Sequence, residues 1–272
     1  MNFRTAGAAC IALVCGLAFS TVGKAATYQI EGQGAIGESN LEADNGAELA
    51  IDNVSITGTY YLRPVDSTTG PLRERSFIDK SAFVELEYST AEPERGDKSK
   101  ATDITAQFVT ATDMIFLLGY GSEDDGSSED TTTMSLGIGK YLDGRTVAAA
   151  GFLQVDNGFS EFNQLFGTYR KLIDGNAAGT YIAYVGTLGY IDGEDDNGNF
   201  IRGAGTYYPS EILGAGLAID RISIGDFDAT GIELSGEYFF AENLFGKISY
   251  EIESNSNDID TTIYALTIGG RF

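Results

Sequence analysis

Beyond residue 26 the chain alternates. Apolar and polar side chains exchange places at every second residue over runs of about ten, and turn-forming residues separate the runs. Residues 229–240 are the clearest case. Ile232, Leu234, Gly236, Tyr238 and Phe240 share one face, and Glu233, Ser235 and Glu237 the other. Residues 50–63 set Val54, Ile56, Gly58, Tyr60 and Leu62 against Asn53, Ser55, Thr57, Thr59 and Arg63. This pattern predicts about fourteen strands, at 27–37, 50–63, 82–90, 103–110, 113–121, 132–142, 145–155, 164–173, 179–191, 200–208, 212–220, 229–240, 244–253 and 261–272. Nothing in this stretch approaches the length of apolar run that a membrane-crossing helix needs.

The connections alternate in kind. Short turns are expected at 111–112, 142–144, 174–178, 209–211 and 241–243. Longer, mostly acidic loops are expected at 38–49, 91–102, 122–131, 156–163, 192–199, 221–228 and 254–260. Short turns at one end and long polar loops at the other mark an up-and-down transmembrane β-barrel. Hydrocarbon offers backbone groups no partner, so a sheet crossing it must close on itself. The segments entering short turns repeat their aromatics, as in GTYYLRP (58–64), GTYRKLIDG (167–175), GTYYPSE (205–211) and GEYFFAEN (236–243). Side by side these are expected to form an aromatic ring at one membrane boundary.

Energetics assign the faces. A basic side chain facing lipid at mid-depth costs roughly 2–4 kcal/mol. The charged and polar positions of the strands are therefore expected to line a pore: Glu31, Arg63, Glu85, Glu87, Gln107, Arg170, Arg202, Glu233, Glu237, Lys247, Glu251 and Arg271, with Gln29, Gln33, Asn53, Ser55 and Ser249 beside them. A soluble sandwich would instead need an apolar inner face. Segments 113–121 and 145–155 are apolar on both faces, and their orientation is left open.

Composition narrows the function. The chain has 272 residues, 40 acidic and 17 basic, for a net charge of −23, and it has no His and no Trp. Without clustered Lys and Arg, nucleic acid is excluded as a partner. Without imidazole, Ser-His hydrolysis and His-ligated zinc are excluded. Met1–Ala25 reads as a cleaved export signal. Arg4 starts it, Ala8–Phe19 is almost wholly apolar, and Gly23 and Ala25 flank a cleavage before Ala26. Both cysteines, Cys10 and Cys15, fall within it, so the mature chain has no thiol chemistry. The mature part, 26–272, is expected to form one barrel. Its last strand carries Tyr264, Leu266, Ile268, Gly270 and a final Phe272 at alternate positions, the pattern of an outer-membrane assembly signal.

YQIEGQG (28–34), GTYYLRPVDSTTGPL (58–72) and SFIDKSAFVELEYS (76–89) resemble the N-terminal part of a porin family of Gram-negative gammaproteobacteria, of the type found in Acinetobacter. The resemblance covers 26–90 closely and the last strand loosely. It implies a fourteen-stranded outer-membrane barrel that passes water and small solutes, and it brings no catalytic residues. Arg73-Glu74-Arg75 departs from it, where the family tends to have small or apolar residues.

Other chemistry is weaker. Residues 64–81 read as a surface turn anchored by Leu72 and Phe77, with a small plug under the pore as the minority alternative. Asp192, Glu194 and Asp196 have the opening spacing of a calcium loop, but Asn197 and Gly203 replace its required Gly and Glu. The pairs Glu85/Glu87 and Glu233/Glu237 share faces by strand parity alone and need no catalytic explanation. The expected function is passive diffusion of water, ions and small hydrophilic solutes with a weak cation preference, without enzyme activity or cofactor. The rival is a non-conducting structural or adhesive barrel acting through its acidic loops. The expected partners are outer-membrane lipid and lipopolysaccharide, the barrel assembly machinery and periplasmic chaperones.

Overall fold

Alternation becomes an actual cylinder in the computed structural model, which describes residues 27–43, 45–66, 70–124, 126, 130–158, 160–193, 196–257 and 259–272. The expected export segment, residues 1–25, lies outside the described residues, as does Glu194 of the calcium-like loop. The strands are β1 (Tyr28–Ala43), β2 (Glu48–Val65), β3 (Phe83–Pro93), β4 (Ser99–Val109), β5 (Met114–Asp124), β6 (Thr131–Asp143), β7 (Thr146–Asp156), β8 (Glu161–Asp174), β9 (Tyr181–Gly193), β10 (Asn197–Ser210), β11 (Leu213–Ile224), β12 (Phe227–Ala241), β13 (Leu244–Asn255) and β14 (Ile259–Arg271). Each pairs antiparallel with its sequence neighbours, and β1 closes the ring on β14 from Glu31↔Arg271 to Ala43↔Ile259. The chain is thus a closed fourteen-strand barrel, as the sequence pattern predicts.

The seam is held beyond side-chain pairing. The Phe272 N–H donates to the Ile30 carbonyl at 2.8 Å, and the Phe272 carbonyl accepts from the N–H groups of Gln29 and Ile30. The terminal strand's Tyr264 and Leu266 face outward, half exposed, as do Ile30 and Ile36 on β1.

The barrel is apolar outside and polar inside. Leu188, Leu165, Ile248 and Phe240 are each more than 60% exposed, near the most exposed such groups in the protein, while Thr57, Thr59 and Glu31 are buried. This inversion of a soluble core is the arrangement that lipid contact stabilises. Among the described residues no helix is long and apolar enough to cross a membrane. Leu188 sits near the middle of β9. Leu188→Arg should destabilise the barrel by roughly 2–4 kcal/mol, and Thr187→Arg, on the wet face, by much less. Urea midpoints of the two variants in lipid vesicles check this.

Three expectations are adjusted. Strands run past the expected loops: β1 and β2 stay paired to Glu42↔Glu48, inside the expected loop 38–49, and β3 and β4 cut the loop 91–102 to 94–98. Pairing needs only a backbone partner, so it continues in water after the lipid-imposed alternation stops. The aromatic ring divides. Tyr60, Tyr169, Tyr207, Tyr238 and Phe240 face outward, whereas Tyr61, Tyr141, Tyr208 and Phe239 are buried inside. Adjacent aromatics on a strand must point to opposite faces. Finally, the two doubly apolar strands acquire an orientation: Phe116, Leu118 and Tyr120 of β5 and Phe152 of β7 are exposed outside, while Ile115 and Val147 are buried inside.

Candidate functional site: a lumen segment tied across the short-turn mouth

The longest short-side connection folds back into the barrel. Its described part resumes at Gly70, whose φ of +90° only glycine adopts without strain, and a Cβ there would meet Ile78 Cδ1 at 2.6 Å. Pro71 and Leu72 are buried, a 3₁₀ turn covers Leu72–Glu74, and a single helical turn, α1, covers Arg75–Ile78. So short a helix has no stability of its own. Tertiary contacts hold it, and they come from around the whole circumference. Leu72 packs on Phe239 and Phe245 of β12 and β13. Phe77 packs in a cluster with Ile115, Tyr141, Val147, Leu172, Ala183 and Tyr208 from β5 through β10. The expectation of a surface turn is therefore corrected: Leu72 and Phe77 do anchor the segment, but inside the lumen, across the mouth.

Polar contacts fix it further. The Leu72 N–H donates to the Glu211 carbonyl in the β10–β11 turn at 2.8 Å. Gln107 Nε2 donates to the Ser81 carbonyl at 2.9 Å. Lys80 Nζ lies 2.8 Å from Asp113 Oδ1, and both residues have positive φ. Two non-glycine residues in that region cost about 1–3 kcal/mol each, so their ion pair closes the segment against a backbone preference.

The central layer is ionic. Glu31 bridges two guanidinium groups: Arg271 Nε reaches its Oε2 at 2.8 Å and Arg73 Nη1 its Oε1 at 3.1 Å. Arg271, whose side chain is only 2% exposed, also donates to the Leu72 carbonyl at 2.7 Å and lies over the rings of Tyr28, Phe239 and Phe245. Burial works against the charge of Arg73, but the Glu31 and Glu237 carboxylates outweigh it and hold its pKa above the ordinary arginine value. Glu74, buried at 4% exposure, accepts from Arg170 Nη2 and from the Tyr208 hydroxyl at 3.0 Å. The Arg170 guanidinium stacks 4.3 Å above the Phe77 ring. Glu31, Arg73, Glu74, Arg170 and Arg271 are thus each partnered, as a desolvated site requires.

From this layer a cavity of ≈ 450 Å³ extends along the strands, bounded by Arg73 and Glu74 at one end and by Gln33, Thr57, Val185 and Gly216 farther up. Along and beyond it the inner wall is unevenly charged. On one side Arg202 lies 3.0 Å from Glu233 and 3.5 Å from Asp220, and Lys247 lies 3.2 Å from Glu233. On the other, Glu85 accepts from the Thr59 hydroxyl at 2.7 Å, and Glu87 stands directly opposite Asp103. Among the described residues, Glu85, Glu87 and Asp103 have no basic partner within ion-pair distance.

The residues singled out in the sequence are placed as follows. Glu31, Glu85, Arg170, Glu237, Lys247 and Arg271 border the cavity. Glu87, Gln107, Arg202, Glu233 and Glu251 share the inward parity of these neighbours through the register. Arg63 lies at the rim, where its Nη2 donates to the Asp79 carbonyl at 3.0 Å. Gln29 sits beside the bulge between Tyr28 and Ile30 and donates to the hydroxyl of Tyr60 on the outer face. Arg73, Glu74 and Tyr208 join the site without having been singled out. The sequence did carry a signal for the first two: an Arg-Glu-Arg triplet, a departure from the family pattern, between Leu72 and Phe77.

The geometry is that of a membrane barrel with a wet, charged lumen. The bacterial porin family described as "Putative general bacterial porin" matches residues 18–188, and the chain belongs to it. Among solved structures, the chain is similar to the outer membrane protein Omp33 of Acinetobacter baumannii, at 17% identity and a TM-score of 0.66, covering 90% of this chain and 99% of that one. It is also similar to a bacterial polysaccharide outer membrane secretin, at 9% identity and a TM-score of 0.53, covering 89% and 98%. These likenesses bear on the fold. Comparison with curated proteins found no match. The protein is a porin-family barrel of the bacterial outer membrane.

Proposed function

We propose that this porin-type channel passes water, ions and small hydrophilic solutes by diffusion, with a weak preference for cations, and that the lumen segment is its narrowest point. The observation that carries the preference is the unpaired row Glu85, Glu87 and Asp103 on the inner wall. Fixed carboxylates facing a water-filled lumen raise the local concentration of cations and lower that of anions. The negative charge of the whole chain acts in the same direction.

A planar bilayer under a KCl gradient tests it. The wild type should give a reversal potential of the sign for cation preference, and Glu87→Gln with Asp103→Asn should move it toward zero with little change in stability. Anion selectivity in the wild type would overturn the preference. A second reading, a barrel that does not conduct, draws support from the ties that seat the segment across the mouth. Silence from both the wild type and a variant with the segment released would favour it.

The remaining contacts are part of the same proposal. Outer-membrane lipid meets the exposed apolar face, lipopolysaccharide lies beside the strands at the long-loop end, and periplasmic chaperones hold the chain before insertion. The assembly machinery reads the last strand through Tyr264, Leu266, Ile268, Gly270 and Phe272. The outward placement of Tyr264 and Leu266 supports that role.

A further inference from the structure

One band of the inner wall is apolar, and ion conduction gives it no work. The register aligns Leu117 of β5, Gly137 of β6, Gly151 of β7, Phe166 of β8, Gly189 of β9 and Phe200 of β10 in a single cross-strand row. The large and empty positions fit one another. A Cβ on Gly151 would strike the Phe166 ring, and one on Gly189 would strike the Phe200 ring. Both rings therefore lie down over bare backbone instead of standing into the lumen, and each keeps a partly open flat surface. Leu117 covers Gly137 in the same way, 3.1 Å from where a Cβ would be.

The row toward the short-turn end runs Ala149, Thr168, Thr187 and Arg202, with Arg202 taken up by Asp220 and Glu233, and the row toward the long loops sets Gln164 between Leu153 and Ile191. The Thr168 and Thr187 hydroxyls lie 3.1 Å apart in the adjacent row toward the short-turn end. Gln164, two residues before Phe166, shares its inward parity on the other side. Flat apolar surface edged by hydroxyl and amide groups matches a solute with the same division. A pure hydrocarbon would leave those polar groups unsatisfied, and an anion would meet the excess of carboxylates.

We infer that Phe166 and Phe200 form a stacking track for neutral cyclic polyols and sugar rings, which offer a C–H face to the phenyl groups and a hydroxyl edge to Thr168, Thr187 and Gln164. The inference rests on the channel proposal only in requiring that solute enter the lumen from the long-loop end. Aromatic surface is favoured in such contacts because it offers a large rigid face at little entropic cost.

The test uses the full chain in detergent micelles with glucose as the cyclic probe and mannitol as the open-chain one. Saturation-transfer NMR should give glucose ring protons a signal roughly threefold above that of mannitol protons at equal concentration. Phe166→Leu with Phe200→Leu keeps apolar volume but removes the flat faces, and should bring the two signals together. KCl conductance and heat-modifiable gel migration should stay as in the wild type, which establishes that the variant is folded. Equal signals in the wild type, or a glucose advantage that survives in the folded variant, overturns the inference. A glucose advantage in a protein that carries no current leaves the track standing and removes the channel proposal instead.

Discussion

Alanine at both Arg73 and Glu74 should widen the short-turn mouth and raise single-channel conductance on the order of threefold over the wild type. These two side chains hold the lumen segment to opposite parts of the wall. Arg73 reaches Glu31 on β1 and approaches Glu237 on β12, and Glu74 reaches Arg170 on β8 and Tyr208 on β10. Each lost contact to a charged group removes roughly 1.5–3 kcal/mol. What remains holds the two ends and one side of the segment: Leu72 through its amide, its carbonyl bond from Arg271 and its packing on Phe239 and Phe245, residues 79–81 through Arg63, Gln107 and the Lys80–Asp113 pair, and the Phe77 cluster. The barrel itself should survive, because its ring of backbone bonds does not involve the segment. Arg170, freed of Glu74, is already partly exposed and can hydrate. Planar-bilayer recording measures the opening. An unchanged conductance, together with unchanged protease resistance at 71–80, would show that the segment does not limit the pore.

Arg271→Ala should lower barrel stability by roughly 3–5 kcal/mol, the usual cost of removing one partner of a buried ion pair. Arg271 sits at the short-turn end of the seam. It meets Glu31 across the closing β1–β14 pair, donates to the Leu72 carbonyl, and fills the space between three aromatic rings. The variant leaves Glu31 with Arg73 alone and leaves the ring faces without their cation, each such contact being worth about 0.5–2 kcal/mol. Arg271→Lys should recover only part of the loss, because an ammonium cannot reproduce the planar fork. Adding Glu31→Gln to Arg271→Ala should restore stability relative to the single variant by relieving the buried charge. The temperature at which the folded gel band disappears gives the ranking. If the double variant is no more stable than Arg271→Ala, the destabilisation is loss of packing rather than of charge pairing.

Much of the barrel is legible from position parity. Ile232, Leu234 and Tyr238 face out and Glu233 and Glu237 face in because lipid and water impose opposite demands on alternate residues. The same logic explains where legibility stops. Once a strand leaves the hydrocarbon nothing enforces the pattern, so the true ends of β1, β2, β3 and β4 could not be placed from it. Where both faces are apolar, as in β5 and β7, parity carries no preference. Contact with Phe77 then brings Ile115 and Val147 inside.

The sequence by itself determined the strand count, the closed antiparallel ring and which half of each strand meets lipid, since these follow from short-range alternation and from the cost of unpaired backbone in hydrocarbon. Only the tertiary structure decided that residues 70–81 lie within the lumen, which aromatics turned inward to receive them, and which glycines lie beneath Phe166 and Phe200. Those outcomes depend on partners far apart along the chain, such as Arg271 with Leu72 and Tyr208 with Glu74. The closing of the ring brings these partners together, and no local pattern encodes their meeting.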